Sequence, residues 1–190
     1  MFARTPRLLL RPGWKEDAPA LASAIGDLAV VGRLASAPWP YGLADAEAFL
    51  ATDHGPLPNL LIFARTHGAP RLVGGVALES RDDGVELGYW IARPYWGLGF
   101  ATEAARAVVD LADRGLRLPK LHAGHFADNH SSARVLEKLG FAPTGAVRPR
   151  ICRARGSVES SIDYVRPAFA RAQTAIGSKA GYDREDAMAA

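Results

Sequence analysis

Two glycines, Gly97 and Gly99, stand between a predicted strand, residues 85–92, and a predicted helix, residues 100–114. This junction constrains the fold most, because the loop must carry a strand directly into a helix. The N–H groups of a first helical turn lack partners within the helix, and the helix dipole adds about half a positive charge there. Glycine lets an anion approach the backbone closely. The pattern therefore predicts a phosphate or pyrophosphate site held mostly by backbone.

The segments on either side of the loop predict an α/β fold with a mixed sheet. Before the loop, three turn-linked strands indicate an antiparallel meander, and after it strands and helices alternate. The predicted strands are residues 7–11, 60–66, 71–79, 85–92, 120–126, 142–150 and 158–165. The predicted helices are residues 17–28, 44–51, 100–114 and 131–139.

Length and composition narrow the class of protein. A chain of 190 residues suits one domain, predicted at residues 1–168, followed by a tail or peripheral helix at 169–190. The single cysteine, Cys152, excludes an internal disulfide framework. A net charge of +3 permits an anionic ligand without indicating which one. The leucines at 8–10 are too few for a signal-peptide core, so a cytoplasmic protein without membrane spans is expected.

Three other functional interpretations are weaker. A dinucleotide-binding loop would have a third glycine and an acidic residue about 20 positions later, whereas the next candidate acid is Asp128. Nucleic-acid binding would depend on a basic run that is equally typical of a solvated surface. His122 and His125 fall on opposite faces of a strand, so no metal site is expected. The basic run consists of Arg148, Arg150, Arg153 and Arg155.

Two segments, residues 89–104 and 128–141, together resemble the GNAT (GCN5-related) N-acetyltransferases. Residues 5–12 are similar to the first strand of the branch that includes ribosomal-protein N-terminal acetyltransferases. The resemblance covers residues 5–168. It implies a mostly antiparallel, twisted sheet with flanking helices and a splayed strand that binds acetyl-CoA.

The resemblance also implies which residues bind acetyl-CoA. Asn129 would contact the pantetheine arm, with Ser132 close to it, and the backbone near Ile91 and Ala92 would pair with the pantetheine amides. The family often has Gln or Arg at the position of Trp96, so only the backbone part of the pyrophosphate site is expected here. That loop comprises Trp96, Gly97, Leu98, Gly99, Phe100, Ala101 and Thr102.

The implied reaction is acyl transfer from a thioester to a neutral amine. Neutralisation at pH 7 costs about 1.4 kcal/mol for an α-amine and about 4.6 kcal/mol for a lysine. Glu86 is the candidate base, with a solvent-facing carboxylate as the alternative. Many relatives have a tyrosine where this chain has Leu136, so Ser132, His125 or solvent would protonate the leaving thiolate.

The acceptor site is expected near Trp39 and Tyr41, in the variable region that lines it in this family. The preferred acceptor is a protein N-terminus, attacked directly in a ternary complex with acetyl-CoA. A small-molecule amine, such as a polyamine, amino acid or antibiotic, and a non-catalytic acyl-CoA-binding module are the alternatives. Neither a metal nor a nucleic-acid partner is expected, and a homodimer is left open.

Overall fold

The computed structural model describes residues 1–65 and 68–168. In this part of the chain, eight strands form one sheet in the order β1-β2-β3-β4-β5-β6-β8-β7. The strands are β1 (Ala3–Arg4), β2 (Leu8–Arg11), β3 (Asn59–Ala64), β4 (Arg71–Arg81), β5 (Gly84–Ile91), β6 (Lys120–Phe126), β7 (Ala142–Cys152) and β8 (Ser157–Pro167). The helices are α1 (Ala18–Ile25), α2 (Leu28–Val31), α3 (Leu43–Ala51), α4 (Phe100–Arg114) and α5 (His130–Lys138).

The sheet is antiparallel except where β5 and β6, connected through α4, run parallel. This confirms the predicted α/β class and the mixed, mostly antiparallel sheet. Most predicted elements lie within a few residues of the observed ones. The predicted helix 17–28 is instead divided at Gly26, because Asp27 leaves helical geometry and its side chain accepts a hydrogen bond from the Ala29 N–H at 2.8 Å. That cap starts α2 as a separate short helix.

Two hydrophobic cores cover the two faces of the sheet. Helices α4 and α5 pack on one face, where Val108 and Leu136 are fully buried. Helices α1 to α3 pack on the other, around Leu21 and Val31. Side chains alternate along β5, so Leu87, Tyr89 and Ile91 face α4 and α5. Glu86, Gly88 and Trp90 therefore face α1 to α3.

The sheet opens between β5 and β6. Only two residue pairs join these strands, Glu86 with His122 and Leu87 with Ala123. Beyond them the strands diverge, as the resemblance implied. Because α4 follows β5 and α5 follows β6, the N-termini of both helices flank the opening.

Membrane-spanning helices and the C-terminal tail are the two remaining points. Within residues 1–65 and 68–168, every helix is too short or too polar to span a bilayer. The predicted tail, 169–190, lies outside the described residues.

Candidate functional site

The glycine loop lies at one side of the opening. A single 3₁₀ turn, Arg93–Tyr95, connects β5 to the loop, and Gly99 directly precedes α4. Gly97 and Gly99 have φ values of 77° and 80°, in the left-handed region that other residues adopt only with strain. A Cβ at Gly97 would meet no atom within 4 Å, so the space above the loop is open. The loop thus has an open, left-handed backbone at Gly97, and the anion site stays a prediction.

Glu103, in the first turn of α4, is held by Thr5 and Arg7. Its carboxylate accepts hydrogen bonds from Thr5 Oγ1 at 2.6 Å, from Arg7 Nε at 2.7 Å and from the Arg7 N–H at 3.0 Å. Although burial opposes ionisation, these bonds lower the pKa of Glu103. The Arg7 guanidinium also donates to the Leu98 carbonyl at 2.9 Å, so it ties the N-terminal segment to the loop.

Trp96 shapes the loop from within. Its indole Nε1 donates to the Ile91 carbonyl at 2.6 Å, which connects the loop to the end of β5. The guanidinium of Arg33 lies 4.5 Å from the centre of the Trp96 ring. Trp96 has no charge of its own to offer an anion, but its ring positions the Arg33 guanidinium beside the loop.

The backbone expected to pair with pantetheine differs from the expectation at Ala92. The N–H of Ala92 donates to the Val73 carbonyl in β4 at 2.8 Å, so it is not available to a ligand. Because backbone groups alternate in direction along a strand, those of Tyr89 and Ile91 point away from β4, toward the opening, where the Ile91 carbonyl already accepts from Trp96. The expectation for Ala92 is therefore corrected to Tyr89. The alternation would have revealed this only once the register with β4 was known.

Asn129 and Ser132 lie on the opposite side of the opening, at the start of α5. The side-chain oxygen of Asn129 accepts from the Ser132 N–H at 3.4 Å and from Ser131 Oγ at 2.9 Å, which caps the helix. Its oxygen is therefore used within the protein, and its NH₂ group is the part that can contact a ligand. The spacing of Asn129 and Ser132 thus has a structural reason as well as a functional one.

Tyr89 is a site residue that the sequence analysis did not single out. Its hydroxyl lies 2.7 Å from Ser132 Oγ and donates to the Ser132 carbonyl at 3.2 Å. This contact joins β5 to α5 next to the opening. Burial raises the pKa of Tyr89 to about 12, so the phenol is protonated at neutral pH. Leu136, at the position of the missing family tyrosine, is fully buried in the core.

Glu86 is neither free nor solvent-facing. Its side chain is 17% exposed, and its two oxygens accept from Arg150 Nη1 and Nη2, each at 2.8 Å. The Arg81 guanidinium is 3.8 Å away. The hydrogen bonds to Glu86 raise the pKa of Arg150, so the guanidinium stays charged. A proton from an amine would have to compete with two charge-assisted hydrogen bonds for this carboxylate.

Small residues form the floor of a slot beside Glu86. Gly88 follows it on the same face of β5, and a Cβ at Gly88 would meet no atom within 4 Å. Gly124 lies on the same face of β6, where a Cβ would come within 3.2 Å of Ser161 Oγ. Ser161 is 1% exposed, and its hydroxyl has no hydrogen-bond partner among the described residues. The slot is therefore open above Gly88 and closed by Ser161 above Gly124, and the Ser161 hydroxyl is an unused polar group among the described residues at its edge.

The basic run is largely consumed by contacts within the protein. Arg148 pairs with Asp83 and Asp163, each at 2.6 Å. Arg155 pairs with Asp128 at 2.9 Å and donates to the Gly32 carbonyl at 2.6 Å. With Arg150 on Glu86, these contacts favour a structural role for the run over binding of an external polyanion.

Of the two predicted acceptor-site aromatics, Trp39 lines a cavity and Tyr41 packs against the core. Trp39 is 45% exposed and borders a cavity of about 470 Å³ together with Leu28, Arg33 and Asp128. Tyr41 packs instead against the core around α1 to α3, and burial raises its pKa to about 12. The predicted aromatic pair is therefore divided between cavity and core.

The two strand histidines lie on opposite faces of the sheet. His125 packs in the core with its ring centre 5.3 Å from that of Tyr164. His122 pairs with Glu86 in the sheet and lies on the other face. No group of three or more potential metal ligands occurs in the described part of the chain.

Comparison with known proteins identifies the class that this fold and site define. The family model described as an acetyltransferase (GNAT) domain matches residues 7–142. The chain belongs to the GNAT acetyltransferase family.

Individual relatives agree with this assignment. "Probable N-acetyltransferase YjcK" of Bacillus subtilis (strain 168) is 39% identical over 85 residues, 43% of this chain and 47% of that protein. The chain spans about half the length of the curated relatives it matches. A GNAT-family acetyltransferase from Bacillus anthracis superposes with a TM-score of 0.76 at 23% identity, covering 88% of this chain and 99% of that one. RimL, a ribosomal L7/L12 α-N-protein acetyltransferase solved with coenzyme A, gives a TM-score of 0.74 at 16% identity, covering 88% and 98%.

Proposed function

We propose that this GNAT N-acetyltransferase transfers the acetyl group of acetyl-CoA to the α-amine of a protein or peptide N-terminus, by direct attack in a ternary complex. The observation that carries the choice of acceptor is the pairing of both Glu86 oxygens with Arg150. Because Glu86 is held by Arg150, it is poorly placed to take a proton from the acceptor. Such a site suits an acceptor amine that loses its proton readily to solvent. The relationship in fold to RimL, which acts on a protein α-amine, supports the same choice.

Acetyl-CoA supplies an activated thioester, and the residues around the opening fit its parts. The N–H groups of the glycine loop and the first turn of α4 would hold the diphosphate. The outward-facing N–H and carbonyl of Tyr89 and the N–H of Ile91 would pair with the pantetheine amides, as an added strand does, while the Ile91 carbonyl is held by Trp96. The NH₂ group of Asn129 would contact the same arm from the other side of the opening.

The reaction then needs a neutral amine in the slot above Gly88. The amine nitrogen attacks the thioester carbonyl carbon, the C–N bond forms and the C–S bond breaks, so that CoA leaves as a thiolate. The amine proton passes to solvent in the slot. We assign Glu86 the role of fixing Arg150 at the rim of the slot in place of the base role predicted from sequence.

Tyr89 and Ser132 are placed to stabilise the leaving thiolate by hydrogen bonding. Proton transfer from a phenol of pKa about 12 to a thiolate whose acid has a pKa near ~8.5 is uphill by about 5 kcal/mol. Donation of the proton is therefore disfavoured, whereas donation of a hydrogen bond is not. Ser132 Oγ, fixed by Tyr89, is the group we place beside the sulfur.

The variant Tyr89→Phe tests this role. We expect kcat to fall about tenfold, because Ser132 Oγ loses the contact that fixes its hydrogen bond to the charged sulfur, with the KM for acetyl-CoA unchanged. Tyr164→Phe is the matched control, because this buried tyrosine contacts His125 and lies on the same side of the sheet. Steady-state assays measure kcat of both variants. Equal losses of kcat in the two, or no loss in Tyr89→Phe, would rule out a role of Tyr89 in stabilising the thiolate.

The variant Glu86→Gln tests whether the enzyme holds a base. We expect kcat/KM for an N-terminal peptide to fall less than about threefold, with a pH profile that still rises toward the acceptor pKa near ~8. Glu79→Gln is the control, since Glu79 pairs with Glu86 across the sheet and is 51% exposed. A hundredfold loss confined to Glu86→Gln, with a flattened pH profile, would restore the base role.

A small-molecule amine is the second candidate acceptor, favoured by the cavity of about 470 Å³ beside Trp39. Release of free CoA with a panel of N-terminal peptides, polyamines and aminoglycosides separates the two. We expect turnover with peptides. Turnover with small amines but with no peptide would identify a small-molecule amine as the acceptor. Binding of acetyl-CoA without turnover of any panel member would favour a non-catalytic acyl-CoA-binding module.

A further inference from the structure

Arg33 lies across the opening between β5 and β6. It follows α2, and its guanidinium lies over the Trp96 ring on the glycine-loop side at 4.5 Å. On the α5 side, Arg33 Nη1 donates to Asn129 Oδ1 at 3.3 Å and to Ser131 Oγ at 3.1 Å. One exposed side chain from the segment after α2 therefore contacts both edges of the expected acetyl-CoA site.

The charge of Arg33 is available in a way that the neighbouring charges are not. Arg7 pairs with Glu103 at 2.6 Å, and Arg93 pairs with Asp27 at 3.4 Å. Arg33 has no carboxylate partner among residues 1–65 and 68–168, and its contacts are an amide, a hydroxyl and an indole ring. These neutral contacts position the guanidinium without cancelling its charge.

We propose that Arg33 binds the diphosphate of CoA opposite the glycine loop, and so supplies from the segment after α2 the cation that the loop lacks at position 96. A guanidinium binds phosphate oxygens through paired, charge-assisted hydrogen bonds, which backbone N–H groups alone do not provide. Arg33 can keep its place over Trp96 while exchanging its amide and hydroxyl partners for phosphate oxygens. This step rests on the use of acetyl-CoA proposed above, but it does not depend on the acceptor.

Calorimetric titration of Arg33→Gln with CoA, dephospho-CoA and pantetheine tests the assignment; pantetheine is measured by competition with CoA. We expect the Kd for CoA and for dephospho-CoA to rise by the same factor, about ten- to a hundredfold, with pantetheine unaffected. Arg33→Lys should recover part of the loss, because it keeps the charge but not the paired geometry. Thermal unfolding of the unliganded variants checks that each is folded.

Arg114→Gln is the matched control, since it removes the same charge at the other end of α4, about 21 Å from the loop by helical rise. Its Kd values should change less than about twofold. An equal loss for pantetheine would show that Arg33 only braces Trp96 and Asn129, and a loss restricted to CoA would place it on the 3′-phosphate. Either result, or no loss, overturns the assignment. Failure of the unmodified protein to bind CoA would instead overturn the proposed function.

Discussion

The variant Gly99→Val should bind acetyl-CoA with a Kd more than about a hundredfold higher than that of the unmodified protein. At φ 80°, a β-branched residue is strained by about 1–3 kcal/mol, so the loop will move to relieve it. Each N–H bond to a charged phosphate contributes about 1.5–3 kcal/mol, and loss of two corresponds to a hundredfold or more. Calorimetric titration with acetyl-CoA measures the loss directly.

Two companion variants separate this effect from general destabilisation. Gly145 has nearly the same φ, 84°, and a Cβ there would meet no atom within 4 Å, but it lies in β7 away from the loop. Gly145→Val should therefore carry similar strain and leave acetyl-CoA affinity unchanged. Gly99→Asn should be milder than Gly99→Val, because asparagine enters the left-handed region more readily. Equal losses of affinity in Gly99→Val and Gly145→Val would contradict a local role for the loop.

An α-amine should be acetylated about 200-fold faster than a lysine side chain at pH 7, compared as kcat/KM on matched peptides. The difference in deprotonation, about 3.2 kcal/mol, sets this ratio when the enzyme itself provides no base. Between pH 7 and 9 the ratio of the two kcat/KM values should fall about tenfold. The reason is that the α-amine, with a pKa near ~8, becomes mostly neutral in this range, while the neutral fraction of the lysine is still small and keeps rising.

The same comparison of α-amine and lysine acetylation, made with the variant Glu86→Gln, is the control for this prediction. If Glu86 only fixes Arg150, the ratio and its pH dependence are unchanged in the variant. A ratio near one in the unmodified enzyme, rising in Glu86→Gln, would mean that Glu86 deprotonates the amine.

Local sequence signals predicted the sheet well, for identifiable physical reasons. Apolar runs and turn signals mark β3 to β5, and the glycine loop marks the β5–α4 junction because glycine suits its left-handed backbone. The break at Gly26 was missed, since the apolar spacing of residues 21–28 continues through it while the Asp27 cap depends on local geometry.

The parts of the site that were missed depend on contacts between distant residues. Glu86 and Arg150 are 64 positions apart, and no local pattern indicates that they pair. Tyr89 was not singled out because its contact with Ser132 depends on how α5 packs beside β5. The error at Ala92 came from not knowing the register with β4. In each case the residue type was visible in the sequence, but its partner was not.

Mapping the acetylated nitrogen gives the most direct test of the proposed reaction. The protein would be incubated at pH 7 with acetyl-CoA and a peptide library that has a free N-terminus, a varied first residue and one internal lysine. Fragment mass spectra then locate the added acetyl group. The proposed function predicts acetylation at the α-amine, with the lysine modified at about 1% of that level or less. Acetylation chiefly at the lysine, or none on any peptide while a small amine is acetylated, would contradict it.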